Sequence, residues 1–341
     1  MGILDWILGR RAAGNPAEEA GASEALERII QLTNPRLQYA RRFRPRLVPA
    51  VRTAMDYARS MLASVPPARE ASTQAWQSDV YMRAFFATAD DLVRAFSRSP
   101  ELRAWFDANP AAQEVSVVLS MLLVERKMLG VVLVGSELQR DVPQITVSFT
   151  DYRARICGPS ESELRQDIER RIVDQLALTG MAKAMEDQSR REILEQERAL
   201  LRARMRMLES QGAGLTALGG QPVDAEKFDR LHADLAVNEQ NLKVLATGSE
   251  ALDYQLEQIR QVLASPQEHF FLSSKRLRLN SMNIELHDDD PQPAVNLDLQ
   301  LARVPMPDAP AEMRTFVLTR FPRNALLPRG ALLSEAARLL G

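Results

Sequence analysis

From position 228 the apolar residues advance by three and four in strict alternation: Phe228, Leu231, Leu235, Asn238, Leu242, Leu245, Ser249, Leu252, Leu256, Ile259 and Leu263. Only Asn238 and Ser249 are polar. A step averaging about 3.5 residues keeps one narrow seam turned toward a partner helix along a left-handed supercoil. The partner lies upstream, where Ser160 and Glu163 have capping-box spacing and Leu164, Ile168, Ile172 and Leu176 open an apolar row. That row continues as adjacent pairs seven apart, Ile193/Leu194, Leu200/Leu201 and Met207/Leu208, with Arg190, Glu197 and Arg204 between them as charged seam positions. Four glycines at 212, 214, 219 and 220 end the first helix, and Asp224 caps the second. Residues 160–265 are thus expected to fold as an antiparallel coiled-coil hairpin. A local break is expected at 179–188, where Gly180 sits, and one continuous second helix with a soft spot at 247–250.

On either side of the hairpin the period changes to two, the signature of strands with one buried face. Ile145, Val147 and Phe149 share a face. After the hairpin Leu277 and Leu279 alternate, then Met282, Ile284 and Leu286 in the opposite phase, so a bend belongs at 280–281. Val295, Leu297, Leu299 and Leu301 follow, then a strand at 315–321 and a closing helix at 334–340. Before the hairpin, helical spacing predicts helices at 23–32, 47–64, 72–97 and 100–108. The run 115–134 is apolar almost throughout, but Glu125, Arg126 and Lys127 place three charges in its middle, which a bilayer-spanning helix rarely bears. It is read as a buried helix that gives way at Gly130 to strand residues 131–134.

The fold class expected is therefore α+β and mainly helical, with the coiled-coil hairpin inserted between strands of a small antiparallel β region. The divisions are an amphipathic N-terminal segment and linker at 1–22, a helical domain at 23–130, strands at 131–158, the hairpin at 159–266, and a C-terminal β region with its closing helix at 267–341. The strand, helical hairpin, strand order is similar in layout to periplasmic adaptor proteins of efflux and secretion systems. The Gly-rich half-motifs that flank the hairpin in that family are missing here, so no function is carried over.

Composition adds limits. The chain is 45% hydrophobic and 26% charged with a formal net charge of -2, so no global field selects nucleic acid or anionic membrane. Five of the 43 basic residues are Lys and the rest Arg, which suggests a GC-rich bacterial genome. The single cysteine, Cys157, excludes an internal disulfide and fits the cytoplasm.

Two local patches are candidate contact surfaces. As a helix, residues 1–11 would put Ile3, Leu4, Ile7 and Leu8 on one side with Trp6 beside them and Arg10 and Arg11 at the end, a candidate for the membrane surface. Arg36, Arg41, Arg42, Arg44, Arg46 and Arg52, with Tyr39 and Phe43 among them, are candidates for binding phosphate backbone or anionic lipid. No phosphate-binding glycine loop, dinucleotide fingerprint or nucleophile elbow is present. His287 with Asp288, Asp289 and Asp290 lacks a calcium-loop pattern and reads as an acidic turn, and Cys157 reads as structural. No catalytic, cofactor-binding or metal-binding residue is assigned.

The reading favoured is a non-enzymatic scaffold or adaptor that uses the hairpin for self-association or partner binding, with peripheral attachment through its N-terminal segment. The alternative is a nucleic-acid-associated protein using the Arg-rich segments 36–52 and 190–206, and a lesser one an enzyme of unrecognised type.

Overall fold

The structure, a computed structural model, describes residues 16–134, 137–217, 225–244, 251–287, 289–290, 292–304 and 312–330. The N-terminal segment 1–11, the seam positions Leu245 and Ser249, Asp288 and the closing helix expected at 334–340 lie outside these residues. The fold is α+β, mainly helical, with an antiparallel sheet and a long helical hairpin between its third and fourth strands. In chain order the elements are α1 (Pro16–Thr33), a 3-10 turn (Pro35–Tyr39), α2 (Phe43–Ala63), β1 (Arg69–Glu70), α3 (Thr73–Ser78), α4 (Val80–Phe85), α5 (Ala89–Ser97) and α6 (Pro100–Ala108). There follow β2 (Glu114–Val134), β3 (Glu137–Gly158), α7 (Glu161–Ala217), α8 (Ala225–Val244), α9 (Ala251–Ala264), β4 (Leu272–Leu279), β5 (Val295–Val304) and β6 (Glu312–Pro322). The chain divides into two compact units, one of residues through 55 with 173–269 and one of 56–172 with 270 onward.

In the second unit the sheet runs β3-β2-β6-β5-β4 with every neighbour antiparallel, and β1 adds a two-residue parallel pairing on β6. The run 115–129, expected as a helix, is strand. Val115, Val117, Leu119 and Met121 are fully buried on one face, a period of two that the apolar residues between them masked. They pack with Phe85, Phe86, Phe96 and Phe106 from the helices of 73–108 and with Leu277, Leu279, Leu297 and Leu299. The charges of 125–127 sit on the exposed stretch beyond β6, where Glu125 pairs with Lys275. Gly130 does not end the element, and β2 continues through it to Val134.

The helix expected at 72–97 is three short helices, because new caps interrupt it. Ser72 accepts from Ala75 N, Asp79 from Tyr81 N and Met82 N, and Thr88 forms a capping box with Asp91. Each cap offers the backbone a better partner than continued helix would. The register of β2 on β3 slips three times, and residues at or beside those slips, Asp141, Asp151 and Ile156, have φ of 59°, 50° and 59°. These are β-bulges, which bend and twist a strand pair too long to stay flat. Arg314 on β6, 1% exposed, holds the middle bulge with ion pairs to Asp151 at 2.8 Å and Glu312 at 3.4 Å and a hydrogen bond to the Asp151 carbonyl. The bend expected at 280–281 is present as a turn, with Asn283 at φ 55° and Ile284 bridging to Thr146.

In the first unit α7 runs without a break through 179–188, contrary to the sequence expectation. Gly180 is there for packing. A Cβ at this position would lie 2.6 Å from Ile259 Cα and 3.0 Å from the Gln258 carbonyl oxygen, so the α7 and α9 backbones touch where only glycine fits. Leu26, Ile29, Leu37, Leu47 and Val51 are buried in the same unit. Polar links join its segments, Arg28 to Asp174 at 2.8 Å, Asn34 to Gln255 at 2.8 Å, and Arg46 to Asp253 at 2.7 Å.

Gly180→Ala should therefore destabilise by about 1–3 kcal/mol despite alanine's higher helix propensity, since two backbones must part. Gly21→Ala, in α1, meets only the Met55 methyl at 3.8 Å and should be neutral or stabilising by up to about 1 kcal/mol. Denaturant melts of the two variants read both signs at once.

Candidate functional site

The hairpin is built from a seam that the structure locates on both helices. On α7 the seam positions, each buried or half-buried, are Val173, Ala177, Gly180, Ala184, Asp187, Arg191, Leu194, Arg198, Leu201, Met205 and Leu208, again in alternating steps of three and four. On α8 and α9 they are the expected Phe228, Leu231, Leu235, Asn238, Leu242, Leu252, Leu256, Ile259 and Leu263. Polar locks set the antiparallel register. Asn238, 3% exposed, donates through Nδ2 to the Leu194 carbonyl at 3.2 Å and to Glu197 Oε2 at 2.9 Å. Tyr254 donates to Asp187 Oδ2 at 2.5 Å, and burial together with that carboxylate pushes its hydroxyl up to about 12. Arg202 pairs with Glu239 at 2.8 Å. A buried amide that finds partners in one alignment only disfavours every slipped alignment.

Of the pairs seven apart on α7, only the second members face inward. Leu194, Leu201 and Leu208 enter the seam, whereas Ile193, Leu200 and Met207 are 64%, 52% and 62% exposed. The charged residues assigned to the seam are corrected likewise: Arg190, Glu197 and Arg204 are exposed, and the charged seam members are Asp187, Arg191 and Arg198. Ile193, Glu197, Leu200, Arg204 and Met207 form a second row with three/four spacing, one residue behind the first. On α8, Val237 is 62% exposed and sits one residue before the seam amide Asn238. In an antiparallel pair, the residue before a seam position falls on the same side of the hairpin in both helices, because reversing a helix reverses its sense of rotation. The geometry agrees, since Arg204 and Met207 line one open groove of about 420 Å³ with Lys227, Arg230 and Asp234. One side of the hairpin thus carries Ile193, Leu200, Met207 and Val237. Positions following the seam form the other side, where Met185, 57% exposed, is apolar near the base, and beyond it Glu195, Ala199, Arg202, Arg206, Asp229, His232 and Glu239 carry no large apolar side chain.

The other candidates disperse. Three of the six N-terminal arginines are held in ion pairs, Arg44 with Glu27 at 3.1 Å, Arg46 with Asp253 and Glu257, and Arg52 with Glu19 at 3.2 Å. Arg36, Arg41 and Arg42 are exposed near Tyr39, itself 76% exposed, and no acid partner is present for them among the described residues. Cys157 is half-buried, and burial, with the Glu101 carboxylate adding to it, pushes its thiol up to about 12, the reverse of an activated nucleophile. Among the described residues no group of His, Cys, Asp and Glu is arranged to hold a metal ion, and no helix is long and apolar enough to cross a membrane. Comparison with known protein families, with characterised proteins and with solved structures gives no match.

At the base of the hairpin Glu257 is gripped by Arg260 at 2.6 Å and Arg46 at 3.0 Å. Hydrogen bonds from Arg260 first, and from Arg46 after the opposing effect of burial, hold its carboxyl at about 2, below the ordinary 4.5. A folded-state value below the unfolded one means the stabilisation is complete above pH 4.5 and is lost as pH falls toward 2. Glu257→Gln should flatten the acid limb of the stability curve in that window and leave the slope near pH 7 unchanged, as read by denaturant melts across pH.

Proposed function

We propose that the protein is a non-enzymatic scaffold or adaptor whose contact surface is one side of the coiled-coil hairpin. The observation that carries this reading is the row of exposed Ile193, Leu200 and Met207, joined by Val237 on the same side, on a hairpin whose seam is already closed. A coiled coil that needed only to hold itself together would place polar residues at these positions. An apolar row repeated every seven residues is the form of a second helix-packing seam. The charges that alternate with it, Glu197 and Arg204, would select among partners more than they would add affinity. The protein acts in the cytoplasm, and residues 1–11 hold it weakly at the inner face of the membrane, a reading supported by their amphipathic pattern. Association with nucleic acid is the lesser reading, supported by Arg36, Arg41 and Arg42 beside the exposed Tyr39.

Neighbouring leucines test the proposal. Leu200→Glu alters an exposed position and should change stability by no more than about 0.5 kcal/mol, whereas Leu201→Glu buries a charge in the seam and should cost about 3 kcal/mol or more. In size-resolved host lysate the wild-type chain should migrate in an assembly larger than itself, and the Leu200→Glu chain, equally folded by circular dichroism, should not. Co-migration of the two would remove the hairpin face from the function.

A further inference from the structure

We infer that the partner of this face is a second copy of the same hairpin, packed antiparallel, α7 against α7, to close a four-helix arrangement. The inference rests on the reading of the hairpin face as a contact surface and names its occupant. The argument is self-complementarity of the second row. Along α7, Ile193, Leu200 and Met207 define one edge of that row, and Arg190, Glu197 and Arg204 the other. When two identical helices pack in opposite directions, equivalent positions of both copies fall on the same side of the contact. The apolar edge of one copy then zips along the apolar edge of the other, and the charged edge runs beside the charged edge. Reversal also brings Glu197 of each copy beside Arg204 of the other, an opposite-charge contact made twice across the two-fold axis.

A parallel pairing fails on the same residues. It would stack Glu197 level with its own equivalent and Arg204 level with its own, and would set each apolar edge against the other copy's charged edge. The sequence of the row therefore discriminates direction as well as identity. The side of the hairpin that follows the seam, with Glu195, Arg202, Arg206, Asp229 and Glu239, exposes the single apolar Met185 near the base and has no apolar row repeating every seven residues to compete. The contact is thus expected to pair two copies through one side each and to stop there, as an isologous contact does, instead of growing into a filament.

Charge reversal tests this on the full chain, by sedimentation equilibrium of the purified protein from low to tens of micromolar. Wild type should be dimeric. Glu197→Arg and Arg204→Glu alone should each weaken the dimer by roughly tenfold or more, through like-charge contacts made twice. The double variant Glu197→Arg/Arg204→Glu should recover most of that loss, because exchanging the two signs restores the pairing only if the partner carries the same exchange. Leu200→Glu should abolish the dimer. Because Glu197 also accepts from Asn238, the helical signal and melting of each variant are read alongside, and Glu197→Gln, which keeps an acceptor for that amide, should weaken the dimer less than Glu197→Arg. A wild type monomeric throughout this range would overturn the inference. If such a monomer still showed Leu200-dependent assembly in lysate, the contact-surface reading would stand with a different protein as occupant. A dimer that survives Leu200→Glu would overturn the inference and place self-association elsewhere.

Discussion

Closure of the seam between α7 and the returning helices is the constraint from which the rest of the hairpin follows. Once Leu194, Leu201 and Leu208 point inward beside Asn238 and Leu231, the orientation of every other side chain on those helices is set by helical geometry. The residues immediately before them cannot also be inward, so Ile193, Leu200 and Met207 are turned to one outer side. The same rotation, reversed on α8, brings Val237 to that side. An exposed apolar row thus arises as the necessary remainder of a seam already filled. What the seam cannot absorb, the outer face displays.

Polar groups at the seam specify alignment where apolar ones only favour association. Leucine layers tolerate a slip of seven residues with little loss, since leucine meets leucine again. Asn238 does not, because its amide reaches the Leu194 carbonyl and Glu197 in one register. Tyr254 with Asp187 and the Gly180–Ile259 approach fix the same register nearer the base. Shape at the base, hydrogen bonds midway and charge farther out act on one alignment. Their agreement keeps the outer face at a fixed geometry despite the thinness of a two-helix element.

The parts legible in the sequence were those with one dominant period. The α8 and α9 seam and the strand faces of 145–149 and 295–301 follow from spacing and side-chain chemistry alone. The run 115–129 is not legible, because strand and helix both accept an unbroken apolar stretch. Buried Val115, Val117, Leu119 and Met121 alternate, but Val118 between them hides the alternation, and only the sheet partners decide. Gly180 reads locally as a helix breaker because its reason for being there, the backbone of Ile259, is 79 residues away in sequence. The Arg-rich stretch of 36–52 lost half its apparent charge to acids of α1 and α9 for the same reason. The outer face of α7 was nevertheless encoded. Apolar pairs repeating every seven residues cannot both enter one two-helix seam, so a second surface is implied wherever such doublets persist.

The most direct test of that account compares thiol alkylation at two neighbouring positions on α7 in a Cys157→Ala background. Leu200→Cys places the thiol on the apolar side of the hairpin, and Ala199→Cys places it on the opposite side, with both residues exposed in the isolated chain. The account predicts that alkylation at 200 slows as protein concentration rises through the assembly range while alkylation at 199 keeps its dilute-solution rate. Equal rates at both positions at every concentration would contradict it.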